Sequence, residues 1–510
     1  MQTVRVHFFK KDLLAVLFIN RAGKFCACSQ TSSFCCALSR TKKLFRKLKL
    51  PSKVFLGDIM NSFFSDCIFY HVYPLGLSGA PERNDFSSPK GSFFETFENE
   101  LPRLKELGVN ALYIGPIFES TAHGYDTVDY YHVDRRLGNN ESFKNFSIKA
   151  HQMGFKLVLD AVFNHTGRDF FAFKDLKENA RNSRFCSWYS NINFDGRSTL
   201  GDPFDYEGWA GCKDLVKLNV ENPEVKEHLF GAVKFWIEEF NVDGLRLDAA
   251  DVISLGFLRE LSSMTKQIKN DFWLMGEVVH GDYNNWLKNG NLDSVTNYEA
   301  YKGLWSSFNS QNMFEIAYAL SRQNGDYGIY KEHLLYNFLD NHDVTRIASA
   351  VSRDEYLFPL NGLLFTMPGI PSIYYGSEYG IKGKRNGSCD RELRPSLPPF
   401  NQVPNFANPS CDKDALFNSI KKFSEIRQNS SALKKGNYTE LAVQNKAFAF
   451  QREFFGEKYA VCVNGDTEPF SLKLNRNLDG KWEDVLNGGF VENTNTVQLD
   501  PCWLKILKKI

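Results

Sequence analysis

The sequence has almost no net charge and no long apolar run. Its 61 Lys and Arg residues face 60 Asp and Glu residues, which leaves a net charge of +1. Proteins that bind nucleic acid or membrane surfaces by charge need an excess of one sign, so neither partner is expected. The apolar stretch "LLAVLFI" at 13–19 is too short to cross a bilayer, and no other stretch is predicted to do so. A hydrophobic content of 43% is ordinary for a globular protein.

Cysteine pairs with metal-ligand spacing are also missing. The eleven cysteines are scattered, and their number is odd. The segment "CACSQTSSFCC", Cys26 to Cys36, holds four of them, but no histidine lies nearby, so zinc is only a minor alternative there. Dispersed free thiols are typical of a reducing compartment, which favours the cytoplasm.

The first 59 residues differ from the rest in being strongly basic. Their apolar stretch resembles a signal-peptide core, but no small-residue cleavage site follows it. We favour a leader that is unstructured or not natively translated. Leu-Gly-Asp, just before Met60, can be encoded by a purine-rich bacterial ribosome-binding signal, so we expect the native start at Met60.

Helix-period segments alternate with short, continuously apolar segments along most of the remaining chain. This alternation predicts a parallel α/β sheet, either doubly wound or closed as a barrel. Eight candidate strands favour a (β/α)8 TIM barrel. They lie at 67–74, 111–117, 156–163, 244–248, 273–278, 294–298, 335–341 and 371–376. In the helix before the fourth strand, Asn222 is the expected N-cap and Pro223 occupies the first turn.

The spacing of the strands predicts four structural parts after the leader. The barrel begins at 60–165, and the gap at 166–220, rich in Gly, Asn and aromatic residues, is predicted to be a small inserted domain B. The barrel continues at 221–435. Alternating residues and turn signals at 436–510 predict a C-terminal β-sandwich.

Polar residues end several of the predicted strands on the same side. Active sites of such barrels lie at the carboxyl ends of the strands, so these side chains are expected to meet there. They are Asp160, Asn164 and His165 after the third strand, Arg246 and Asp248 at the fourth, Glu277 at the fifth, Asp340, His342 and Asp343 at the seventh, and Glu378 at the eighth.

Asp248 and Glu277 end successive strands and are therefore expected to be neighbours. Retaining glycosidases use such a carboxyl pair, one as nucleophile and one as acid/base. Arg246 lies two residues before Asp248 and is expected to lower the pKa of that carboxyl. Glu277 has no cation beside it in the sequence, so burial is expected to raise its pKa, as suits a general acid. Asp343 is expected to hold sugar hydroxyls and to offset positive charge in the transition state.

The segments "DAVFNH", "GLRLDAAD", "GEV" and "FLDNHD" resemble, in order and spacing, four signature regions of the α-amylase family of glycoside hydrolases. "HGYDTVDYY" and "GIPSIYYGSE" are also similar to family segments, and the resemblance spans about 60–510. It implies that Asp248 is the nucleophile, Glu277 the acid/base and Asp343 the transition-state stabiliser. It further implies that Arg246 orients the nucleophile.

The same resemblance assigns the surrounding side chains. His165 and His342 would hydrogen-bond the sugar, Tyr125 would stack on it, and Asp160 would be a supporting residue. Asn164 matches a position that often binds calcium in the family. Asp251-Val252 replaces the Lys-His of calcium-dependent members, so one backbone ligand is not implied. No cofactor is expected to be required, with calcium as the alternative.

The segment "VKLN" is similar to the "PKLN" of neopullulanases and cyclomaltodextrinases, with Val216 in place of Pro. Those enzymes usually carry an N-terminal β-domain, which nothing before Met60 could form, so we expect a compact intracellular bacterial enzyme. Its expected substrates are starch-derived α-1,4-glucans, maltooligosaccharides or cyclodextrins. A transglycosylase or isomerase on the same frame, and a non-catalytic scaffold, are the alternatives. The sequence does not set the oligomeric state.

Overall fold

Eight parallel strands form a barrel in the computed structural model, which describes residues 62–387, 390–404 and 415–510. Numbered in chain order with the strands outside the barrel, they are β1 (Phe69–Val72), β2 (Ala111–Ile114), β5 (Lys156–Ala161), β8 (Gly244–Leu247), β9 (Trp273–Gly276), β10 (Ser294–Val295), β11 (Tyr336–Phe338) and β12 (Ile370–Tyr374). The leader predicted at 1–59, its Cys26–Cys36 cluster and the expected start at Met60 lie outside the described residues.

The order of strands around the barrel is β10-β9-β8-β5-β2-β1-β12-β11. A bridge between Thr296 and Tyr336 joins the two ends of this order, next to β10 and β11. The predicted (β/α)8 barrel is therefore confirmed, and the doubly wound alternative, which leaves the sheet open, is not. Seven of the predicted segments contain one of these strands in full, and the eighth, 371–376, overlaps β12, which begins one residue earlier.

Fourteen α-helices lie in the described ranges. They are α1 (Ser62–Ser65), α2 (Pro74–Leu77), α3 (Phe93–Phe97), α4 (Leu101–Glu106), α5 (Asn140–Gln152), α6 (Phe171–Asn179), α7 (Pro223–Phe240), α8 (Leu255–Ile268), α9 (Tyr298–Asn309), α10 (Phe314–Asn324), α11 (Ile347–Ala350), α12 (Leu357–Thr366), α13 (Leu416–Gln428) and α14 (Ser431–Lys435). None of the helices described here combines the length and apolarity that a bilayer crossing requires.

Helix α7 shows how the sequence sets the element that leads into β8. The Asn222 side chain accepts hydrogen bonds from the backbone N–H groups of Glu224 (2.8 Å) and Val225 (3.4 Å), which confirms the predicted N-cap. Pro223 occupies the first turn, where a missing N–H costs nothing. The helix ends at Phe240, and the next residue, Asn241, adopts the left-handed conformation that turns the chain back toward the barrel.

The residues of β8 alternate between the two sides of the barrel wall. Leu245 and Leu247 belong to the core between barrel and helices. Arg246 points inward, in register with Asp160 on one neighbouring strand and Met275 on the other. Apolar rings fill the interior below these residues, where Phe64 stacks on Trp273 with ring centroids 4.8 Å apart. The charged side chains therefore stand above a packed apolar layer, at the mouth of the barrel.

Two excursions rise from the carboxyl ends of the strands. After β2, the strands β3 (Phe118–Ser120) and β4 (Thr127–Val133) form an antiparallel hairpin whose connection includes Tyr125. After β5, the chain enters β6 (His165–Gly167) and returns through β7 (Leu215–Lys217), which pairs with β6 antiparallel. This second excursion overlaps the range 166–220 predicted for domain B, whose bounds stay a prediction, and its first strand begins at His165.

The C-terminal region is antiparallel, in the order β13-β14-β15-β18-β16-β17. Its halves face each other across a shared apolar core, and Arg476 Nη2 of β16 donates to Gln451 Oε1 of β14 (3.2 Å). The predicted β-sandwich is thus built from one continuous sheet. Its strands are β13 (Asn437–Val443), β14 (Ala447–Phe454), β15 (Glu457–Asn464), β16 (Phe470–Asp484), β17 (Phe490–Leu499) and β18 (Leu504–Lys509).

Candidate active site

Arg246 is the centre of a carboxylate cluster at the barrel mouth. Its Nη1 contacts Asp160 Oδ1 at 2.7 Å and Asp248 Oδ1 at 3.0 Å, and its Nη2 contacts Glu277 Oε2 at 2.8 Å. Asp160, Arg246 and Glu277 come from three successive strand positions, β5, β8 and β9. The predicted meeting of Asp248 and Glu277 is confirmed, because one guanidinium contacts both.

Backbone contacts also fix the two carboxyls of the expected catalytic pair. The Asp248 N–H donates to Ala161 O (3.0 Å), and the Glu277 N–H donates to Leu247 O (2.9 Å), so both residues continue the barrel ladder. Ala249, directly after Asp248, has φ of 45° and donates its N–H to Glu277 Oε2 (3.0 Å). A left-handed alanine is strained, and here the strain aims a donor at the second carboxyl.

The acidities of Asp248 and Glu277 differ from the sequence-based prediction. Burial raises the pKa of Asp248 well above its ordinary value, and Glu277 and Asp160 raise it further, while Arg246 lowers it without prevailing. Burial also raises the pKa of Glu277, again opposed by Arg246. The prediction of a lowered pKa for Asp248 is wrong, because burial outweighs Arg246, whose single charge is also divided among three carboxyls. Two raised pKa values around one cation favour a pair that shares a single proton.

Asp343 lies in a more cationic environment. Its Oδ1 accepts from Arg394 Nη2 at 2.7 Å, and its Oδ2 lies 3.0 Å from His342 Nε2. Burial opposes ionisation, but His342 and Arg394 outweigh it and hold the pKa of Asp343 well below its usual range. Asp343 therefore remains ionised while the Asp248–Glu277 pair keeps a proton.

Arg394 was missed by sequence reasoning. It also donates from Nε to His342 O (3.0 Å), pairs with Asp390 (2.9 Å) and lies over the ring of Tyr73 (4.7 Å). It comes from the loop that follows β12, in a segment that showed no periodic pattern. Only its place after the last barrel strand, where such a loop can fold over the mouth, pointed toward the site.

Tyr125 and His342 form one wall of the site. Their rings stack with centroids 5.4 Å apart, and the Tyr125 hydroxyl contacts His342 Nε2. The same hydroxyl donates to Asp160 Oδ2 (3.0 Å), which also accepts from Tyr113 (2.7 Å). Asp160 thereby supports both Arg246 and Tyr125, in line with the supporting role that the resemblance implies.

His165 lies at the entrance to domain B. Burial lowers its pKa to about 3, so the imidazole is neutral, and its Nε2 has no hydrogen-bond partner among the described residues. The ring of Trp209, which is 39% exposed, lies 6.0 Å from it. Trp209 was also missed by the sequence analysis. It sits in the turn before β7, where the next residue, Ala210, has φ of 49°.

Asn164, the expected calcium ligand, lies beside His165. Its side-chain Nδ2 lies 3.2 Å from His165 Nδ1, and its backbone carbonyl accepts a hydrogen bond from the Leu218 N–H (2.9 Å). Calcium takes six to eight oxygen ligands. Within the described ranges, no group of three or more His, Cys, Asp or Glu side chains could hold a metal. Calcium also accepts Asn and backbone carbonyl oxygens, so its binding at Asn164 stays a prediction.

Two of the polar residues at the strand ends belong to other networks. Glu378 Oε1 accepts from Tyr70 (2.7 Å) and from Arg103 Nη1 (2.9 Å), behind the barrel wall. Asp340 accepts from Ser377 Oγ (2.8 Å) and from the Ile347 N–H (2.8 Å). Both carboxylates stabilise the loops that surround the mouth.

Comparison with known proteins agrees with this site. The family model of the α-amylase catalytic domain matches residues 96–397. A cyclomaltodextrinase from Thermoanaerobacter pseudethanolicus is 31% identical over 87% of this chain and 78% of its own length. Neopullulanase 2 from Thermoactinomyces vulgaris is 33% identical, over 83% and 74% respectively.

Solved structures show the same likeness. The cyclic α-maltosyl-(1→6)-maltose hydrolase from Arthrobacter globiformis, in complex with cyclic α-maltosyl-(1→6)-maltose, superposes with a TM-score of 0.73 at 26% identity. The match covers 88% of this chain and 99% of that one. Together with the family match and the carboxylate cluster around Arg246, it identifies this chain as an O-glycosyl hydrolase that belongs to the α-amylase family.

Proposed function

We propose that the protein is a retaining α-glycoside hydrolase that cleaves α-1,4 bonds of maltooligosaccharides and cyclodextrins. The observation that carries this proposal is the contact of one guanidinium, that of Arg246, with both Asp248 and Glu277. Free thiols at Cys186, Cys212, Cys462 and Cys502 favour action in the cytoplasm.

In the first step, an oxygen of ionised Asp248 attacks the anomeric carbon. Glu277 gives its proton to the glycosidic oxygen, so that the leaving sugar departs as a neutral alcohol and a covalent glycosyl-enzyme remains. Glu277 Oε2 is held by Arg246 and by the Ala249 N–H, so Oε1 is the oxygen left to carry the proton. The proposed reaction requires the shared proton of the pair to lie on Glu277, with Asp248 ionised, when the sugar is bound.

In the second step, ionised Glu277 removes a proton from water, and the hydroxide oxygen displaces Asp248 from the anomeric carbon. The two inversions leave the configuration unchanged. Asp343, ionised beside His342 and Arg394, binds sugar hydroxyls and offsets positive charge on the ring in both transition states. Tyr125 stacks on the sugar, and His165 and His342 hydrogen-bond to it. No step uses a metal.

The test is product analysis on maltoheptaose, β-cyclodextrin, pullulan and trehalose, with the anomeric configuration followed by NMR. We expect maltoheptaose and β-cyclodextrin to be cleaved with the α-configuration appearing first. Initial release of the β-anomer would contradict the nucleophile role of Asp248. Products longer than the starting sugar would show that transfer to a second sugar, rather than to water, is the main reaction.

A further inference from the structure

A second groove opens on the outer side of the β3–β4 hairpin, away from the carboxylate cluster. It has a volume of about 950 Å³. We call it the hairpin groove. Its walls include Phe86, Asp129, Tyr131, Phe171, Lys174 and His228. None of these residues has a role in the proposed reaction.

Phe86 is held in this groove by a strained backbone. Its φ is 54°, which is uncommon for a bulky side chain, and its N–H donates to Asn84 Oδ1 at 2.9 Å. The Asn84 side chain is itself anchored, since its Nδ2 donates to Glu119 Oε1 at 2.7 Å. The ring is nevertheless 37% exposed, so core packing does not account for this arrangement. Strain that presents an exposed ring is a feature of binding surfaces.

Phe171 supplies a second aromatic surface, at the start of α6. It is 44% exposed, and its inner side packs on Phe170 (4.5 Å between centroids), Phe185 (5.4 Å) and Trp188 (5.7 Å). These rings and His228 (5.5 Å) hold its position. The exposed face is therefore rigid before any ligand arrives, which reduces the entropy lost on binding.

Charges of both signs line the hairpin groove and nearly balance. Arg135 pairs with Glu119 (3.3 Å), Lys174 lies 3.8 Å from Asp169, and Asp129 lies 2.8 Å from the His132 ring. The remaining charged side chains of the lining are Lys90 and Glu141. Neither a phosphate nor a polycation would find a large excess of opposite charge. Apolar rings bordered by hydrogen-bonding side chains of both signs suit a neutral ligand with apolar faces and hydroxylated edges. A pyranose chain has this character.

We propose that the hairpin groove binds a second stretch of α-glucan, remote from the bond being cleaved. This inference rests on the proposed substrate class. The hairpin links the two sites, because Thr121 Oγ1 donates to Asp169 Oδ2 (3.1 Å) on the groove side and Tyr125 lies in the same connection on the catalytic side. A long glucan held in the groove raises its own local concentration at the barrel mouth.

The test compares a long and a short glucan in the catalytically inactive Asp248→Asn protein. Soluble amylose can occupy both sites, whereas maltotriose is too short to join them. Phe86→Ala and Phe171→Ala are introduced singly and together. Phe455→Ala is the matched control, because Phe455 is an exposed phenylalanine of the C-terminal sheet. Affinity electrophoresis and calorimetry give the dissociation constants.

We expect the double variant to bind amylose about 10-fold more weakly, with maltotriose binding unchanged. In protein that keeps Asp248, the two substitutions together should raise KM for amylose and leave the rate of maltotriose hydrolysis unchanged. Unchanged maltotriose hydrolysis also shows that the variant is folded. If the double variant bound amylose as tightly as the Phe455→Ala control does, the proposed glucan site in the hairpin groove would be wrong. The proposed function would be unaffected by that result. Failure of the Asp248→Asn protein to bind any α-glucan would overturn the proposed function as well.

Discussion

The two ends of strand β8 each carry a buried aspartate, and the two are surrounded very differently. Asp243, at the start of the strand, accepts hydrogen bonds from His151 (2.8 Å), Lys156 (2.9 Å), Lys269 (2.7 Å) and the Leu157 N–H (2.9 Å). Burial alone would raise its pKa, but these donors outweigh burial and lower it.

Asp248, five residues later, has the opposite balance. Its carboxyl shares one guanidinium with Asp160 and Glu277, and its pKa is raised by burial and by those neighbours. At the lower end, the donors to Asp243 join α5, β5 and the residue after α8 to the start of β8. At the upper end, Asp248 has too few donors to stabilise its negative charge, and forming a bond to the sugar removes that charge. The same residue type therefore serves stability at one end and chemistry at the other.

The largest effect should come from Asp248→Asn. We expect kcat to fall by about 10⁴-fold or more, because the amide cannot form the glycosyl-enzyme. The free energy of unfolding should stay equal or rise, since a repelled buried carboxyl is removed. Initial rates on maltoheptaose and urea unfolding measure the two quantities. If the Asp248→Asn protein kept near-full activity, or if it were markedly destabilised, the contrast drawn between Asp248 and Asp243 would be wrong.

Asp243→Asn should show the reverse pattern. Removing the anion leaves two lysines and His151 without their shared partner, and we expect a loss of about 3 kcal/mol in unfolding free energy. The activity of the folded fraction should be unchanged. Urea unfolding at pH 7 measures the loss, and a stable but inactive Asp243→Asn protein would contradict the assignment.

The pH dependence of stability sharpens this second prediction. The pKa of Asp243 is depressed in the folded state, so its contribution is present above the unfolded pKa and is lost as the pH falls toward the folded value. Urea midpoints should therefore fall below about pH 4 in the wild-type protein. The Asp243→Asn protein should lose less of its stability over the same range, and parallel curves would contradict this.

Arg394→Met tests the second cation at the barrel mouth. We expect a cost of about 2 kcal/mol in transition-state stabilisation, because a charged hydrogen bond to Asp343 is lost. The pKa of Asp343 should rise, so the acidic limb of the kcat profile should move to higher pH. Arg394→Lys should restore part of both effects. If kcat fell but the acidic limb of its pH profile did not move, Arg394 would have only a structural role.

The smallest effect is expected from Ala249→Gly. Glycine adopts the φ of 45° found at this position without strain, so the free energy of unfolding should rise by about 0.5 kcal/mol. The N–H to Glu277 is kept, and kcat should change little. Thermal unfolding with a linked activity assay measures both, and destabilisation would show that the left-handed backbone is not strained.

The barrel and its carboxylate cluster were predictable because both depend on short-range patterns. Apolar segments alternating with helix-period segments predicted eight strands, and polar residues at their ends predicted the mouth. Arg394 and Trp209 were not predictable, since each reaches the site from a loop without periodicity. The pKa of Asp248 was misjudged because its sequence neighbours reveal Arg246 but neither the burial of the carboxyl nor the two other carboxyls that contact the guanidinium.

The central claim is that Asp248 becomes covalently bonded to the sugar with Glu277 as its acid/base partner. The direct measurement is mass spectrometry of protein treated with an activated fluorosugar, such as 5-fluoro-α-D-glucosyl fluoride, in the Glu277→Gln variant, where release is slowed. We predict a single glycosyl adduct that peptide mapping places on Asp248. An adduct on another carboxylate, or consumption of the reagent with no adduct, would contradict the account.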